Sequence, residues 1–169
     1  MVKNMITYHN ATLEDLPFIV DVYNSTIAGR QATADTEPVS VESRLEWFYL
    51  HNPKNLPIWL IKYQDQPCGW ISLSSFYGRP AFYKTVEISL YLHQDFRGKK
   101  IGQFMVDKIE QFAKQAGIEA IFSYVFGHNL PSVNLFKKMQ YQQWGLLPKV
   151  AELDNVQRDL LILGKRLDS

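Results

Sequence analysis

Hydrophobic residues recur along this chain at two spacings, which distinguish strands from helices. Short alternating or continuous apolar runs predict strands at residues 5–9, 57–63, 69–76, 85–92 and 118–126. Apolar residues three or four positions apart predict helices after Thr12, after Ser40, near 98–116 and near 130–139. Residues 141–167 have the pattern of two closing strands. This order indicates a mixed α/β (α+β) fold, in which helices flank a single, mainly antiparallel sheet.

Local signals sharpen this prediction. Thr12, followed three residues later by Asp15, resembles a capping box at the start of the first helix. The turn at residues 64–67 separates two strands, as in a hairpin. Residues 85–126 are predicted to form a strand, a helix and a strand, and such a unit joins two parallel strands of one sheet. Because no repeat or flexible linker interrupts the pattern, we expect residues 1–169 to form a single domain.

Composition narrows the classes of protein that fit. Lys and Arg number 18 against 17 Asp and Glu, and this balance gives no overall attraction to nucleic acid or to an anionic membrane. The single cysteine, Cys68, excludes an internal disulfide and lies in an apolar stretch where we expect it to pack. The first ten residues lack the apolar core of a signal peptide, and no apolar run approaches the roughly 20 residues of a membrane span. We therefore expect a cytoplasmic protein.

Two kinds of catalytic site have no support in the sequence. The four histidines, His9, His51, His93 and His128, are scattered without metal-ligand spacing, so we expect no metal site. No serine lies in the strand-turn-helix motif of a nucleophile elbow, so a covalent acyl-enzyme is not indicated. Direct transfer between two bound substrates is the simpler mechanism.

The stretch with the most chemical information is residues 90–102. A strand ends there, and a loop with glycines and basic residues opens a long amphipathic helix. The first N–H groups of a helix lack partners and, with the positive end of the helix dipole, bind phosphate oxygens. Arg97, Lys99 and Lys100 add positive charge at this point. Spacing alone leaves two interpretations open: a phosphate site, or an ordinary turn with a solvated basic face.

A family resemblance decides between them. Residues 97–102, Arg-Gly-Lys-Lys-Ile-Gly, resemble the Gln/Arg-x-x-Gly-x-Gly/Ala signature of the GCN5-related N-acetyltransferase superfamily, whose backbone amides bind the pyrophosphate of acetyl-CoA. Lys100 occupies the place of the middle glycine. A left-handed lysine there would cost roughly 1–2 kcal/mol, whereas a helical one would be harmless. We expect the helical conformation.

Within that superfamily, the chain resembles the phosphinothricin acetyltransferase group, which acetylates the amino group of glutamate-like molecules. The resemblance covers nearly the whole chain in the right order. The matching segments are Thr36-Glu37-Pro38 with Arg44 and Trp47-Phe48, Arg79-Pro80-Ala81-Phe82, Thr85-Val86-Glu87 with Ser89 and Tyr91, the glycine loop, and Asn129 with Ser132, Val133 and Leu135.

The resemblance implies roles for several of the matching residues. Glu87 is the candidate general base, and because an ordinary carboxylate is too weak a base, we expect its pKa to be raised or a water to relay the proton. The alternative is a structural carboxylate paired with Arg79 or Lys84. The residues expected to bind acetyl-CoA are Leu90, Tyr91, Leu92, Arg97, Gly98, Lys99, Lys100, Ile101, Gly102, Gln103 and Asn129. Those expected at the acceptor are Arg79, Glu87, Ile88 and Ser89.

Backbone groups of residues 90–92 would polarise the thioester carbonyl, at a strand that a bulge splays in this superfamily. Asn129 has a second possible role as the cap of the following helix. Arg79 has the alternative of an ordinary exposed loop arginine, and residues 90–92 are also suited to the core.

Two residues depart from the family pattern near the expected reaction centre. Phe136 stands where many relatives have a tyrosine or histidine that protonates the departing thiolate, and Ile88 stands where several have histidine. We nevertheless expect an acetyl-CoA-dependent N-acetyltransferase for a small amino-acid-like amine. The alternatives are a non-catalytic acyl-CoA-binding regulatory module, or an acetyltransferase for a polyamine, an aminoglycoside or a protein N-terminus. Because relatives are often dimers, a homodimer is a further expectation.

Overall fold

Seven strands form one sheet in the order β1-β2-β3-β4-β5-β7-β6. The structure, a computed structural model, describes residues 5–168, so residues 1–4 and 169 of the expected domain lie outside the described residues. Every neighbouring pair is antiparallel except β4 and β5, which are parallel. This confirms the predicted mixed, mainly antiparallel sheet with one parallel pair. The strands are β1 Ile6–Asn10, β2 Ile58–Tyr63, β3 Gln66–Ser75, β4 Thr85–Leu92, β5 Ala120–Phe126, β6 Gln142–Leu153 and β7 Val156–Arg166.

The helices flank the sheet and differ from prediction mainly at their starts. They are α1 Leu16–Ser25, α2 Leu45–Tyr49, α3 Ile101–Gln115 and α4 Leu130–Lys138. The capping box is confirmed, because the N–H of Thr12 donates to the Asp15 carboxylate at 2.9 Å, although one 3₁₀ turn separates it from α1. Ser40 likewise accepts from the N–H of Ser43 at 3.1 Å, ahead of the short α2.

Each face of the sheet buries its own core. The larger core holds α3 and α4 against residues such as Ile71, Ile88 and Ile121, all at most 1% exposed. The smaller core holds α1 and α2 against Trp70, whose indole N–H donates to the carbonyl of Ile19 at 3.1 Å. Because side chains alternate along a strand, β4 sends Val86 and Ile88 into the larger core and Glu87, Ser89 and Tyr91 to the opposite face.

Cys68 belongs to the larger core and is fully buried. Burial raises the pKa of its thiol to about 12, which leaves almost no thiolate at neutral pH. The expectation that Cys68 serves packing is confirmed.

Candidate active site

Strands β4 and β5 pair over only a short distance and then part. The parallel register runs Thr85–Ala120, Val86–Ile121 and Glu87–Phe122, and ends there. On its other edge, β4 pairs regularly with β3 from Val86 to Leu92 without a register shift. The expected splay therefore exists, but it is a separation from β5 and not a bulge in the β3–β4 ladder.

This separation frees backbone groups of β4. The N–H of His93 donates to the carbonyl of Cys68 in β3 at 2.8 Å. Because backbone groups alternate in direction along a strand, the N–H groups of Leu92 and Leu90 point to the side that β5 has left. The side chains of Leu90 and Leu92 pack against the larger core, so a core role for the side chains is compatible with the expected cofactor role for the backbone.

A cleft of about 530 Å³, here called the loop cleft, runs from this gap to the start of α3. It brings together all the residues expected to bind acetyl-CoA. Its lining includes Leu90, Tyr91, Leu92, Arg97, Gly98, Lys99, Lys100, Ile101, Gly102, Gln103 and Asn129.

The loop before α3 differs from expectation at one residue. Lys100 has φ +61° and ψ +20°, the left-handed conformation, so the expectation that it lies in a helical first turn is wrong. The helix begins only at Ile101, and Lys100 is the residue before it, where the chain must turn into the helix axis. Gly98 is also left-handed, at φ +76°, so the loop uses this conformation at two positions and has glycine at only one.

Gly102 is needed for a different reason. A Cβ on this residue would lie 3.2 Å from Leu135 Cδ2 and 3.4 Å from Leu90 Cδ2. The first turn of α3 therefore sits closely against α4 and β4. This approach places the unpaired N–H groups of the helix start at the loop cleft, beside the exposed Arg97 and Lys99.

Glu87 lies where β4 and β5 part. It lines two further clefts on this face: the strand cleft of about 430 Å³, between β4 and β5, and the aromatic cleft of about 310 Å³, between β4, α1 and α2. Burial raises the pKa of its carboxyl, in the direction that a general base requires. Within residues 5–168 no side chain bonds to this carboxylate, and Lys84 pairs instead with Glu119 at 3.0 Å. The alternative of a structural ion pair is not supported.

The aromatic cleft was not expected as a unit. Its walls are Ile19, Val20, Tyr23, Val39, Arg44, Trp47, Trp70, Ser74, Glu87, Ser89 and Tyr91. Trp70 stacks on Tyr91 with ring centroids 4.9 Å apart and meets Trp47 edge-on at 5.3 Å. These residues come from α1, the turn before α2, α2, β3 and β4, so no local sequence pattern would group them.

Arg44 supplies the positive charge of the aromatic cleft. Its Nη2 lies 3.1 Å from the Asp35 carboxylate, and its guanidinium carbon lies 4.6 Å from the centroid of the Tyr23 ring. The Tyr23 hydroxyl in turn donates to Asp35 and bonds to Thr33. These contacts fix the guanidinium in the cleft that Glu87 also lines. Arg44 belongs to the family resemblance, yet sequence reasoning assigned it no role.

The residues expected at the acceptor lie in different surroundings, and only some of them line the clefts beside Glu87. Ser89 lines both the strand cleft and the aromatic cleft, as Glu87 does. Ile88 borders the strand cleft, but its side chain is only 1% exposed and packs in the larger core, so a side-chain contact with an acceptor is not supported. Arg79 is exposed before the turn Pro80–Phe82 and lines none of the three clefts. Within the described residues, Arg44 and not Arg79 accompanies Glu87.

Asn129 combines the two roles considered for it. Its side-chain oxygen accepts from the N–H of Ser132 at 3.4 Å and caps α4. Its amide donates to the carbonyl of Gln31 at 3.2 Å, and the residue lines both the loop cleft and the strand cleft.

Phe136 is 4% exposed at the strand cleft and packs edge-on against Tyr141, so it supplies no proton there. Tyr124 of β5 lines the same cleft. Burial raises the pKa of its hydroxyl, which keeps it protonated near neutral pH. It is a proton-bearing group that sequence reasoning missed, because the resemblance directed attention to Phe136.

Comparison with known proteins agrees with this geometry. The model of the Acetyltransferase (GNAT) family matches residues 19–141. A Bacillus subtilis protein named "Putative phosphinothricin acetyltransferase YwnH" is 42% identical over 96% of this chain and 99% of its own. The L-methionine sulfoximine/L-methionine sulfone acetyltransferase of Pseudomonas aeruginosa strain PAO1 is 25% identical over 94% and 93%.

A solved structure has the same fold. The Salmonella typhimurium protein described as "yncA, a putative ACETYLTRANSFERASE", solved with its cofactor acetyl-CoA, superposes with a TM-score of 0.89 at 22% identity, and the match covers 98% of this chain and 96% of its own. The matched family model spans β3, β4, the loop and α3, and so includes Glu87 and the loop cleft. The chain belongs to the GNAT acetyltransferase family.

Proposed function

We propose that this N-acetyltransferase transfers an acetyl group from acetyl-CoA to the amino group of a small amino-acid-like acceptor of the phosphinothricin or methionine sulfoximine type. One observation carries the proposal: a half-buried carboxylate, Glu87, stands where the parted strands meet a small aromatic cleft that also holds Arg44. The relatives named for these two acceptors support the choice of substrate class.

The loop cleft fits the cosubstrate. Acetyl-CoA supplies an activated acetyl group and a diphosphate handle. The helix-start N–H groups with Arg97 and Lys99 would hold the diphosphate, since amides at a helix N-terminus favour anions. The N–H groups of Leu90 and Leu92 would donate to the thioester carbonyl and stabilise the negative charge that develops there during attack.

Glu87 would accept the proton that the acceptor amine must lose. A free aliphatic amine is mostly protonated at neutral pH, so the attacking nitrogen needs a nearby base. Burial makes the Glu87 carboxylate a stronger base than an exposed one, and no partner in residues 5–168 competes for it. The leaving thiolate would take a proton from water or from Tyr124.

Arg44 would bind the carboxylate of the acceptor. The guanidinium donates in a planar fork that suits a carboxylate, and Asp35 and Tyr23 already hold it in place. The aromatic cleft, about 310 Å³, suits a molecule of amino-acid size. A large aminoglycoside or a folded protein terminus fits this volume less well.

A thiol-release assay tests the proposal. Acetyl-CoA is supplied with phosphinothricin, methionine sulfoximine, standard amino acids, spermidine and an aminoglycoside in separate reactions. We expect turnover with the first two or with a related amino acid. Turnover confined to polyamine or aminoglycoside would overturn the acceptor class, and acetyl-CoA binding without any turnover would indicate a non-catalytic module.

The hairpin of β6 and β7 supports a homodimer as part of this proposal. β6 is the last strand of the sheet, and large apolar side chains on the hairpin are 41–58% exposed: Trp144, Leu146, Leu147, Val150 and Val156. A long apolar edge strand pairs readily with another chain. Light scattering at several concentrations would test for a dimer.

The reduced, buried Cys68 fits the cytoplasm as the compartment of this protein.

A further inference from the structure

His51 lies just after α2 and contacts Ser74, a residue that lines the aromatic cleft. Its Nδ1 is 2.7 Å from the carbonyl oxygen of Trp47, and its Nε2 is 3.0 Å from Oγ of Ser74. The imidazole also packs edge-on against the Trp47 ring, at 4.8 Å between centroids. Sequence reasoning assigned no role to His51 or to Ser74.

These two contacts fix the proton on the imidazole. A carbonyl oxygen can only accept a hydrogen bond, so Nδ1 must carry the hydrogen. In the neutral ring, Nε2 then has a lone pair and accepts from the Ser74 hydroxyl. Burial lowers the pKa of His51, which favours the neutral ring near pH 7.

The direction of the Ser74 hydroxyl bond changes what the aromatic cleft offers to an acceptor. Because its only hydrogen points to His51, Ser74 Oγ presents lone pairs alone to the aromatic cleft that it lines. Ser74 is directly opposite Glu87 in the β3–β4 ladder, and directly opposite residues have Cβ atoms about 5 Å apart on the same face. Two hydrogen-bond acceptors, one charged and one neutral, therefore stand side by side.

We propose that Ser74 binds the amino group of the acceptor through Oγ, and that His51 is a positioning residue that holds Oγ as an obligate acceptor. This inference rests on the proposed acetyl transfer. An ammonium group has three hydrogens, so one can bond to Ser74 while another is given to Glu87. The nitrogen lone pair released in that step forms the C–N bond, the C–S bond breaks, and its electron pair leaves on the thiolate. The amide product keeps one hydrogen, so the second proton lost by the nitrogen passes, through water or Tyr124, to that thiolate.

Without His51, the Ser74 hydroxyl would be free to donate to Glu87. That bond would stabilise the carboxylate, make it a weaker base, and remove an acceptor from the amine. Both effects reduce turnover and leave the loop cleft untouched. The other charged or titratable groups that line the aromatic cleft are Arg44, Tyr23 and Tyr91.

Three substitutions separate this role from a structural one. Gln places its amide near the position of Nε2 and can accept from Ser74, whereas Asn places its amide near Nδ1 and can only bond to Trp47. We expect Ser74→Ala and His51→Asn each to lower kcat/KM for the acceptor by roughly tenfold or more, the effect of losing a hydrogen bond to a charged group. His51→Gln should lose much less than His51→Asn.

The readouts distinguish positioning from folding. All variants should have the same acetyl-CoA Kd and the same Tm as the wild type. The variant Ser75→Ala, at an exposed position, serves as the control for both measurements. The acid limb of the kcat/KM–pH profile should move to lower pH in His51→Asn, because the freed Ser74 hydroxyl then donates to Glu87. In a Ser74→Ala background, His51→Asn should cause no further loss.

Two results would overturn the inference alone: full activity of Ser74→Ala, or a larger loss in His51→Gln than in His51→Asn, which would give His51 a purely structural task at Trp47. Wild-type protein that acetylates no amino-acid-like acceptor would instead overturn the proposed function, and this inference with it.

Discussion

The loop cleft and the aromatic cleft meet near β4 but are built in opposite ways. Nearly all the expected cofactor contacts of the loop cleft come from one continuous stretch, residues 90–103, and they are largely backbone groups. The aromatic cleft is made of side chains from α1, α2, β3, β4 and the turn before α2. A diphosphate and a thioester are the same in every acetyl-CoA, so a fixed backbone suffices for them. Acceptors differ, and side chains from separate elements can change independently.

This difference indicates which residues determine cosubstrate affinity and which determine the choice of acceptor. Changes in the loop cleft should alter cosubstrate affinity or stability through backbone geometry. Changes in the aromatic cleft should alter the choice of acceptor and leave cosubstrate binding intact. In the proposed mechanism Glu87 takes part in the step that joins the two substrates, so its loss should have the largest effect.

Glu87→Gln is expected to lower kcat/KM by about 10²–10⁴-fold, the usual contribution of a general base, while acetyl-CoA binding persists. Thiol-release kinetics and calorimetric binding would measure the two properties separately. Unchanged turnover would remove Glu87 from the role of base.

The same variant has a pH signature. Burial raises the folded pKa of Glu87, so wild-type kcat/KM should rise with pH through that value, and the Glu87→Gln variant should lack this limb. Stability should move the other way. The unfolded carboxyl ionises at lower pH than the folded one, so the wild type loses stability, relative to the variant, as pH rises through that interval. Thermal unfolding of both proteins from about pH 4 to 8 would check the sign.

Arg44→Met should lower kcat/KM for a carboxylate-bearing acceptor by roughly 10–100-fold, the effect of losing a charged hydrogen-bond partner, chiefly through acceptor KM. The acetyl-CoA Kd should not change, because Arg44 does not line the loop cleft. Arg79→Met sharpens the comparison: we expect the larger loss at Arg44. A larger loss at Arg79 would indicate that Arg79, as the sequence suggested, and not Arg44 binds the carboxylate of the acceptor.

Two substitutions of Lys100, to glycine and to alanine, form a matched pair within the loop cleft. Lys100→Gly should stabilise the fold by about 0.5–1 kcal/mol, since relief of the left-handed strain exceeds the added entropy of the unfolded chain. Lys100→Ala loses the same charge but keeps the strain, so it should not stabilise. Urea unfolding would compare them. A Lys100→Gly variant no more stable than Lys100→Ala would show that the strain at φ +61° does not exceed the entropy that glycine adds to the unfolded chain.

Gly102→Ala should have an effect as small as that of Lys100→Gly. The new Cβ meets side-chain methyl groups of Leu135 and Leu90 at 3.2 and 3.4 Å, and these can shift by a few tenths of an ångström. We expect a destabilisation of about 1 kcal/mol and a modest loss of acetyl-CoA affinity as the start of α3 moves. A loss of folding would mean that this contact is far more rigid than the leucines suggest.

The sequence by itself determined the elements that depend on local patterns. The β4 strand, the α3 apolar stripe and the glycine loop follow from the spacing of residues near one another. From them the family resemblance predicted a cofactor site with Glu87 as base. It also indicated a raised Glu87 pKa from the needs of the chemistry. Its error at Lys100 was local too: a residue that must turn the chain into a helix can be left-handed without being glycine.

The tertiary structure alone decided which side chains surround the proposed acceptor site. Arg44, Trp47, Ser74 and Glu87 share a cleft because α1 and α2 pack on the face of β4 that carries Glu87, and no spacing along the chain encodes that contact. It also placed Ile88 in the core, Arg79 outside the clefts and the Ser74 hydroxyl within hydrogen-bond distance of His51. Backbone sites arise from short-range geometry, whereas side-chain sites arise from how distant elements pack.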